Sequence, residues 1–480
     1  MSARLWDWDA LVQASGGSPD GVPSGRITGF SIDTRSLTAG DVFVALKDVR
    51  DGHDFVTQAF KSGAAAALVG DDYARKAGDG ALLRVPDVLQ GLEAIGIAAR
   101  ARLPATSRVM AVTGSAGKTG TKEMLRACLA TAGRTHAPDK SFNNHWGVPL
   151  TLARMPADTQ FGIFEIGMNH PGEIRPLAKL VRPHVAIITN VLPVHVGNFP
   201  DGEIGVANAK AEIFEGLEPG GTAIILRDSP HFERLVGKAT DAGARVRTIG
   251  ANAGVDARPR LTLHLDTPDG PRTDIQAEIG ERFVRYLLAT PGQHIATNSL
   301  AVLIALESVG KLSDAALAPL QGIGPAKGRG ERTHFTLPGG PLLLIDESYN
   351  ANPGSMHWAV ILADAAVDAP FTRGVAVLGD MLELGDGAAK YHEDLGLFIA
   401  DGLDNLELIF ASGPMMAKLF ENIPDERRGQ WAPRSEDLID PVLAALRPGD
   451  VVIVKGSNGS RLMPIVEAIK KRFAGTEGSV

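Results

Sequence analysis

Short apolar runs rich in β-branched residues recur through this chain, and the stretches between them return an apolar residue every three or four positions. In the middle of the sequence the runs are "VMAVTG" from Val109, "FGIFEIG" from Phe161, "VAIITNV" from Val185 and "TAIIL" from Thr222. Helical patterns at 121–132, 173–181 and 205–214 lie between them. Strands apolar on both faces and joined by helices predict a parallel sheet covered on both sides. From 260 to 288 the pattern turns to alternation, in "RLTLHLD", "TDIQAEI" and "FVRYLL", which predicts an antiparallel addition; a helix is expected over 295–308. The last segment repeats the parallel pattern. Its strands "LLLIDE", "GVAVLG", "LELIFASG" and "VVIVKGS" alternate with helices near 355–365, 392–400, 438–446 and 461–471. Before residue 106 the signals are mixed: strand-like pieces at 26–32 and 41–46, a helix at 55–63, a buried strand "AAAALVG", and a helix over 88–103 that stops ahead of Pro104.

The reading is α/β in three domains, in line with a prior of roughly 150 residues per domain. A mixed α/β N-terminal domain covers 1–106, a central parallel-sheet domain 107–326 and a C-terminal Rossmann-like α/β domain 327–480. The glycine- and cation-rich "QGIGPAKGRGERTHF" is the expected hinge into the third. Composition narrows the function classes. A net charge of −8 argues against a broad nucleic-acid surface, and the single cysteine, Cys128, excludes an intramolecular disulfide or a thiolate zinc cluster. With acids among its first apolar residues and no run of about 18 apolar residues, the chain is expected to be a cytoplasmic protein with no membrane span.

The chemistry begins at "VMAVTGSAGKTGTKEML". A strand, a glycine turn and a helix start follow in that order, which aims backbone N–H groups and the positive helix end at one spot and stabilises an anion there. Val112 stands where the general pattern G-x-x-x-x-G-K-[ST] has its first glycine, so the central domain is read as a P-loop, ATPase-like domain with a variant loop. Lys118 offers a point charge to phosphates and Thr119 a hydroxyl to Mg²⁺. Glu165, at the carboxyl end of a strand, suits the same hard cation. From the residues alone, His195 after a strand is more often structural than a ligand, and Lys210 more often a solvated charge. A switch or motor ATPase would carry all its loop glycines, and a pure binding module would not need Lys118, Thr119 and Glu165 together.

Taken in order, "TGSAGKTGTKEM", "NNHWGVPLTLAR", "EIGMNHPGEI", "AKAEIF", "GQHIATNSLA", "DESYNANPGSM", "LGDMLELG" and "VKGSNGSRLM" resemble the Mur ligase family over essentially the whole chain. These are ATP-dependent amide-bond ligases of peptidoglycan precursor synthesis. The resemblance implies that Thr113, Gly114, Ser115, Ala116, Gly117, Lys118 and Thr119 wrap the ATP phosphates. His294 and Asn298 would meet the adenine side, and Arg329, Asp346, Tyr349 and Asn350 would close over the nucleotide, with Lys455 and Ser457 facing the same cleft. Thr119, Glu165, His195 and Lys210 would hold two Mg²⁺ ions, Lys210 as a carbamate. Lys118, Lys210, Glu165, His195 and Arg329 would carry catalysis. Asn143 and Asn144 would touch substrate, and Asp33, Thr34, Arg35, Gly52 and His53 would hold its UDP end. Within the family, "DESYNANPGSM", "LGDMLELG" and "GHDF" most resemble the members that join D-alanyl-D-alanine to UDP-N-acetylmuramoyl-tripeptide. The alternative is a member adding a single amino acid, but the "DNPR"-type motif of one such relative is absent. A monomer suffices for these expectations. Two departures are the missing glycine in "ALKDVRDGHDF" and the altered surroundings of His195 in "PVHVGNF".

Overall fold

Three β-sheets carry the chain in the computed structural model, which describes residues 4–475 apart from 49, 140, 195, 268–269, 290–291 and 325–327. The first sheet has five strands in the order Ser18–Asp20, Ala81–Val85, Ala66–Gly70, Asp41–Val44, Gly29–Ser31. It is parallel except for the antiparallel edge strand Ser18–Asp20. The expected helix at 55–63 divides into a 3-10 turn, Gly52–Phe55, and a helix, Val56–Lys61.

The central sheet has nine strands. Its parallel part places Arg108–Thr113 between Phe161–Glu165 and Val185–Ile188, and continues through Thr222–Leu226 to Arg245–Ile249. The strands Ala257–Thr267, Gly270–Ile279 and Arg282–Leu288 then extend it as antiparallel ladders, as their alternation predicts. Side chains of Arg108–Thr113 alternate between two cores. Met110 and Val112 pack with the helices Lys118–Ala130 and Gln293–Ser308, while Val109 and Ala111 face a cluster containing Ile174, Leu177 and Val206. The third sheet runs Glu331–Leu337, Gly340–Glu347, Asp450–Lys455, Arg373–Gly379, Leu406–Ser412, Arg428–Ala432, all parallel but the first.

The first sheet is bolted to the central one by polar groups as well as by apolar packing. Arg100 donates from Nε to the Val181 carbonyl at 2.8 Å and from Nη2 to the Arg182 carbonyl at 2.7 Å. Arg102 reaches the Leu5 and Met155 carbonyls and lies over the Trp6 ring at 3.7 Å, and Trp6 Nε1 donates to the Ala153 carbonyl at 2.9 Å. The third sheet meets the central one partly through bare backbone. A β-carbon on Gly197 would lie 2.7 Å from the Gly385 Cα. Among the described residues no helix is long and apolar enough to cross a membrane.

Candidate active site

The loop after Arg108–Thr113 turns through Gly117, whose φ of 83° lies in the left-handed region, and enters the helix Lys118–Ala130. Residues just past the neighbouring strand Val185–Ile188 hold its shape. Ala116 donates its N–H to Asn190 Oδ1 at 2.9 Å, and its carbonyl accepts from Thr189 Oγ1 at 2.5 Å and Asn190 Nδ2 at 3.2 Å. Ser115 donates to the Asn190 carbonyl through its N–H at 3.1 Å and to the Leu192 carbonyl through Oγ at 3.1 Å. With those two amides committed, the anion cradle falls to the first N–H groups of the helix, which have no intrahelical partner. Thr113 is buried, and its Oγ1 has no hydrogen-bond partner among the described residues. Lys118 Nζ bends back to the Gly114 carbonyl at 2.6 Å. Burial lowers its pKa to about 8, Glu165 opposes that shift, and the charge of Arg329 adds to it.

Thr119 and Glu165 come together in the buried floor of this site. Thr119 Oγ1 donates to Glu165 Oε2 at 2.9 Å and lies 3.2 Å from Ser141 Oγ, and Asn143 Nδ2 donates to Glu165 Oε1 at 2.8 Å. Two adjacent hard-oxygen donors with free lone pairs suit Mg²⁺, which leaves further positions to phosphate and water. Asn144 is otherwise engaged: its Oδ1 accepts from the Gly147 N–H at 2.9 Å, at the start of the helix Gly147–Ala153. Lys210, expected from pattern alone to be solvated, is instead buried at 3% exposure, without a hydrogen bond or ion pair among the described residues. Burial first, and the nearby charge of Lys118 second, hold its pKa well below the ordinary lysine value. His195 lies outside the described residues.

The far side of the site comes from the helix Gln293–Ser308 and the third sheet. Asn298 is buried against the loop, where a β-carbon on Gly117 would overlap its side-chain amide. Burial lowers the His294 pKa, and Glu347 opposes the shift from across the cleft. Arg329 stacks on the Tyr349 ring at 4.5 Å. Asp346 is fully buried: Oδ1 accepts from the Ser348 N–H and hydroxyl at 3.0 and 2.6 Å, while Oδ2 has no partner among the described residues. Lys455 does not open into the cleft as expected. It is buried and ties Glu347 Oε2 at 3.2 Å to the Asn350 carbonyl at 2.9 Å, so it braces the segment carrying Tyr349 and Asn350. Ser457 likewise acts on loops, accepting from the Leu382 N–H at 3.0 Å.

A cavity of 960 Å³ opens beside the first sheet, lined by Asp33, Thr34, Arg35, Gly52 and His53 together with Lys47 and Arg50. The central segment adds His145 and Trp146 to its wall. Neither was singled out in the sequence, although both follow directly on the asparagine pair. His53 is committed to the framework: Nδ1 bonds Asp51 Oδ1 at 2.6 Å and Nε2 accepts from the Gly70 N–H at 2.9 Å. Arg35 forms a two-pronged pair with Asp33 at the exposed rim.

Comparison with known proteins agrees with this arrangement. The Mur ligase middle domain matches residues 112–306, and the Mur ligase glutamate ligase domain matches 328–458. A UDP-N-acetylmuramoyl-tripeptide–D-alanyl-D-alanine ligase of Bacillus subtilis is 33% identical over 92% of this chain and 93% of its own. One from Escherichia coli is 37% identical over 76% of this chain and 77% of its own. The crystal structure of MurF from Acinetobacter baumannii superposes with a TM-score of 0.80 at 28% identity, covering 98% of this chain and 100% of that one. The chain belongs to the Mur ligase family of ATP-dependent ligases.

Proposed function

We propose that this protein joins D-alanyl-D-alanine to UDP-N-acetylmuramoyl-tripeptide at the expense of ATP, giving UDP-N-acetylmuramoyl-pentapeptide, ADP and phosphate. The observation that carries the reading is the phosphate loop with Lys118 and the Thr119–Glu165 pair, lying between a 960 Å³ cavity on one side and the Arg329–Tyr349 stack on the other. The chain's assignment to the family and the names of its relatives supply the substrates. We assign 1–106 to binding the UDP end, 107–326 to ATP, and 327–480 to closing over ATP and receiving the dipeptide.

In the first step a carboxylate oxygen of the tripeptide attacks the γ-phosphorus. The bond to the β,γ-bridging oxygen breaks, and ADP leaves from an acyl phosphate. The dipeptide amine then attacks the acyl carbon and loses a proton, and the tetrahedral species collapses with loss of phosphate. Two anions meet at the outset, so fixed positive charge aimed at the transferring group is the main requirement. Lys118 and Arg329 supply it, and Asn143 positions the carboxylate of Glu165. His294 and Asn298 hold the adenine side, Asp346, Tyr349 and Asn350 close over the nucleotide, and Asp33, Thr34, Arg35, Gly52 and His53 line the site of the UDP end. Mg²⁺ held by Thr119, Glu165 and His195, with a second ion at a carbamate on Lys210, would neutralise phosphate charge as it shifts. The buried Lys210 amine, its pKa held well below the ordinary value and without a partner among the described residues, suits that modification: a neutral amine adds to the carbon of CO₂, releases a proton and becomes an anionic oxygen ligand. The protein is assigned to the cytoplasm as a monomer.

The test is phosphate release and product mass with ATP, Mg²⁺ and UDP-N-acetylmuramoyl-tripeptide, adding D-alanyl-D-alanine in one series and single amino acids in another. Pentapeptide formed only with the dipeptide supports the reading. Turnover with a single amino acid and a shorter acceptor moves the protein to a sister reaction.

A further inference from the structure

Arg154 follows the helix Gly147–Ala153 and has been given no role so far, yet it reaches both walls of the cavity through intermediates. Its Nε and Nη2 both donate to the Phe30 carbonyl, at 2.8 and 2.6 Å. Phe30 is buried in the strand Gly29–Ser31, which leads directly into the turn of Asp33, Thr34 and Arg35, where Ser31 Oγ donates to the Asp33 carbonyl at 3.0 Å. On its other side the guanidinium lies 5.4 Å from the centre of the Phe142 ring. Phe142 packs edge-on to Trp146 at 6.0 Å, and Trp146 lines the cavity. The next residue, Asn143, donates to Glu165 Oε1 at 2.8 Å and accepts the Gly167 N–H through its carbonyl at 2.8 Å.

An unbroken chain of contacts therefore runs from the cavity wall through Arg154 and Phe142 to the carboxylate beneath the phosphate loop. The guanidinium suits the post because its planar fork places two donors on one carbonyl while its charge lies over an aromatic ring, a combination that an ammonium cannot reproduce. Asp41 and Asp139 lie close enough to offset part of the cost of its burial.

We infer that Arg154 is a positioning residue that couples occupancy of the 960 Å³ cavity to the placement of Asn143 on Glu165, so that the acceptor nucleotide, once bound, helps to set the phosphate-transfer site. This rests on the function proposed above. Energetic coupling between Arg154 and Asn143 is its physical test.

The experiment compares wild type, Arg154→Met, Arg154→Lys, Asn143→Ala and the double variant Arg154→Met/Asn143→Ala in steady-state kinetics. ATP and UDP-N-acetylmuramoyl-tripeptide are varied separately. Wild-type turnover with this acceptor is measured first, since its absence defeats the proposed function and not the coupling. The expected result for Arg154→Met is a KM for the acceptor raised at least tenfold and a lowered kcat, with the KM for ATP within twofold of wild type. Arg154→Lys keeps one donor and recovers part of the loss. The double variant is less impaired than the product of the single effects, because both act through one contact. Multiplicative effects, a wild-type acceptor KM in Arg154→Met, or an equal rise in both KM values overturns the inference. Arg154→Lys carries the same test at half strength should Arg154→Met fail to fold.

Discussion

Two glycines three residues apart in the phosphate loop and its helix call for opposite outcomes on the same substitution. Gly117 sits at a φ of 83°, and a β-carbon there would overlap Asn298 Nδ2 and lie 3.2 Å from its Cγ. Gly120 is inside the helix, exposed, with nothing within 4 Å of the position its β-carbon would take. For Gly117→Ala the left-handed backbone costs about 1–2 kcal/mol. Forcing the Asn298 amide off its rotamer adds about 0.5–1.5 kcal/mol. The expected loss is therefore about 1.5–3.5 kcal/mol. Gly120→Ala replaces the poorer helix former and gains up to about 1 kcal/mol. Urea unfolding followed by circular dichroism measures the two stabilities, and calorimetric titration with ATP measures the site. Gly117→Ala should also weaken ATP binding at least tenfold, because Asn298 and the loop can no longer keep their packing, while Gly120→Ala should bind normally. If Gly117→Ala proves as stable as Gly120→Ala and binds ATP as wild type does, the account of the loop is wrong.

Burial lowers the pKa of both His136 and His184 to about 4, so these rings stay neutral in the folded protein down to that pH. The unfolded chain takes up their protons below about 6.5, so stability falls with pH between 6.5 and 4; at pH 5 the loss relative to pH 7 is about 2 kcal/mol for each, and urea midpoints unchanged over that range would refute it. Lys210→Met should abolish turnover while leaving stability equal or higher, since it removes a buried amine that has no partner among the described residues; a matched loss of stability would make Lys210 structural. Gly197→Ala would place a methyl group 2.7 Å from the Gly385 Cα and hold the third sheet away from the loop, so kcat should drop several-fold and ATP affinity should weaken with it, and an unchanged kcat would rule out this contact as a limit on closure.

The parts of the fold that could be read from sequence were those whose burial is uniform. "VMAVTG" and "VVIVKGS" are apolar throughout because both faces of the sheet are covered, and they fall at Arg108–Thr113 and Asp450–Lys455. Edge strands were harder. Glu331–Leu337 reads as a polar hinge, since only Phe335 along it is fully buried, yet it forms the antiparallel border of the third sheet. The pattern also delayed the first helix of the central domain to 121, because Lys118 and Thr119 do not look like core residues, although the helix begins at Lys118. At the site, residue types exposed the loop and Glu165, but not the partners of the loop. Thr189 and Asn190 meet it only through the sheet, and the burial of Lys210 is a property of packing that no spacing reveals. His145 and Trp146 belong to the cavity because the helix they precede is fastened to the first sheet.

The wiring of the phosphate loop also fixes an order of events during synthesis. Ala116 is bonded to a side chain 74 residues further along the chain, and Gly117 is packed against Asn298. A chain emerging from the ribosome carries the loop's glycines and Lys118 long before it carries the groups that shape them. The first sheet, complete by Val85, is free to fold early, whereas nucleotide affinity arrives only after the helix Gln293–Ser308 has emerged. Fragments released before that helix should therefore ignore ATP, which keeps unfinished chains from consuming the cofactor they are built to use.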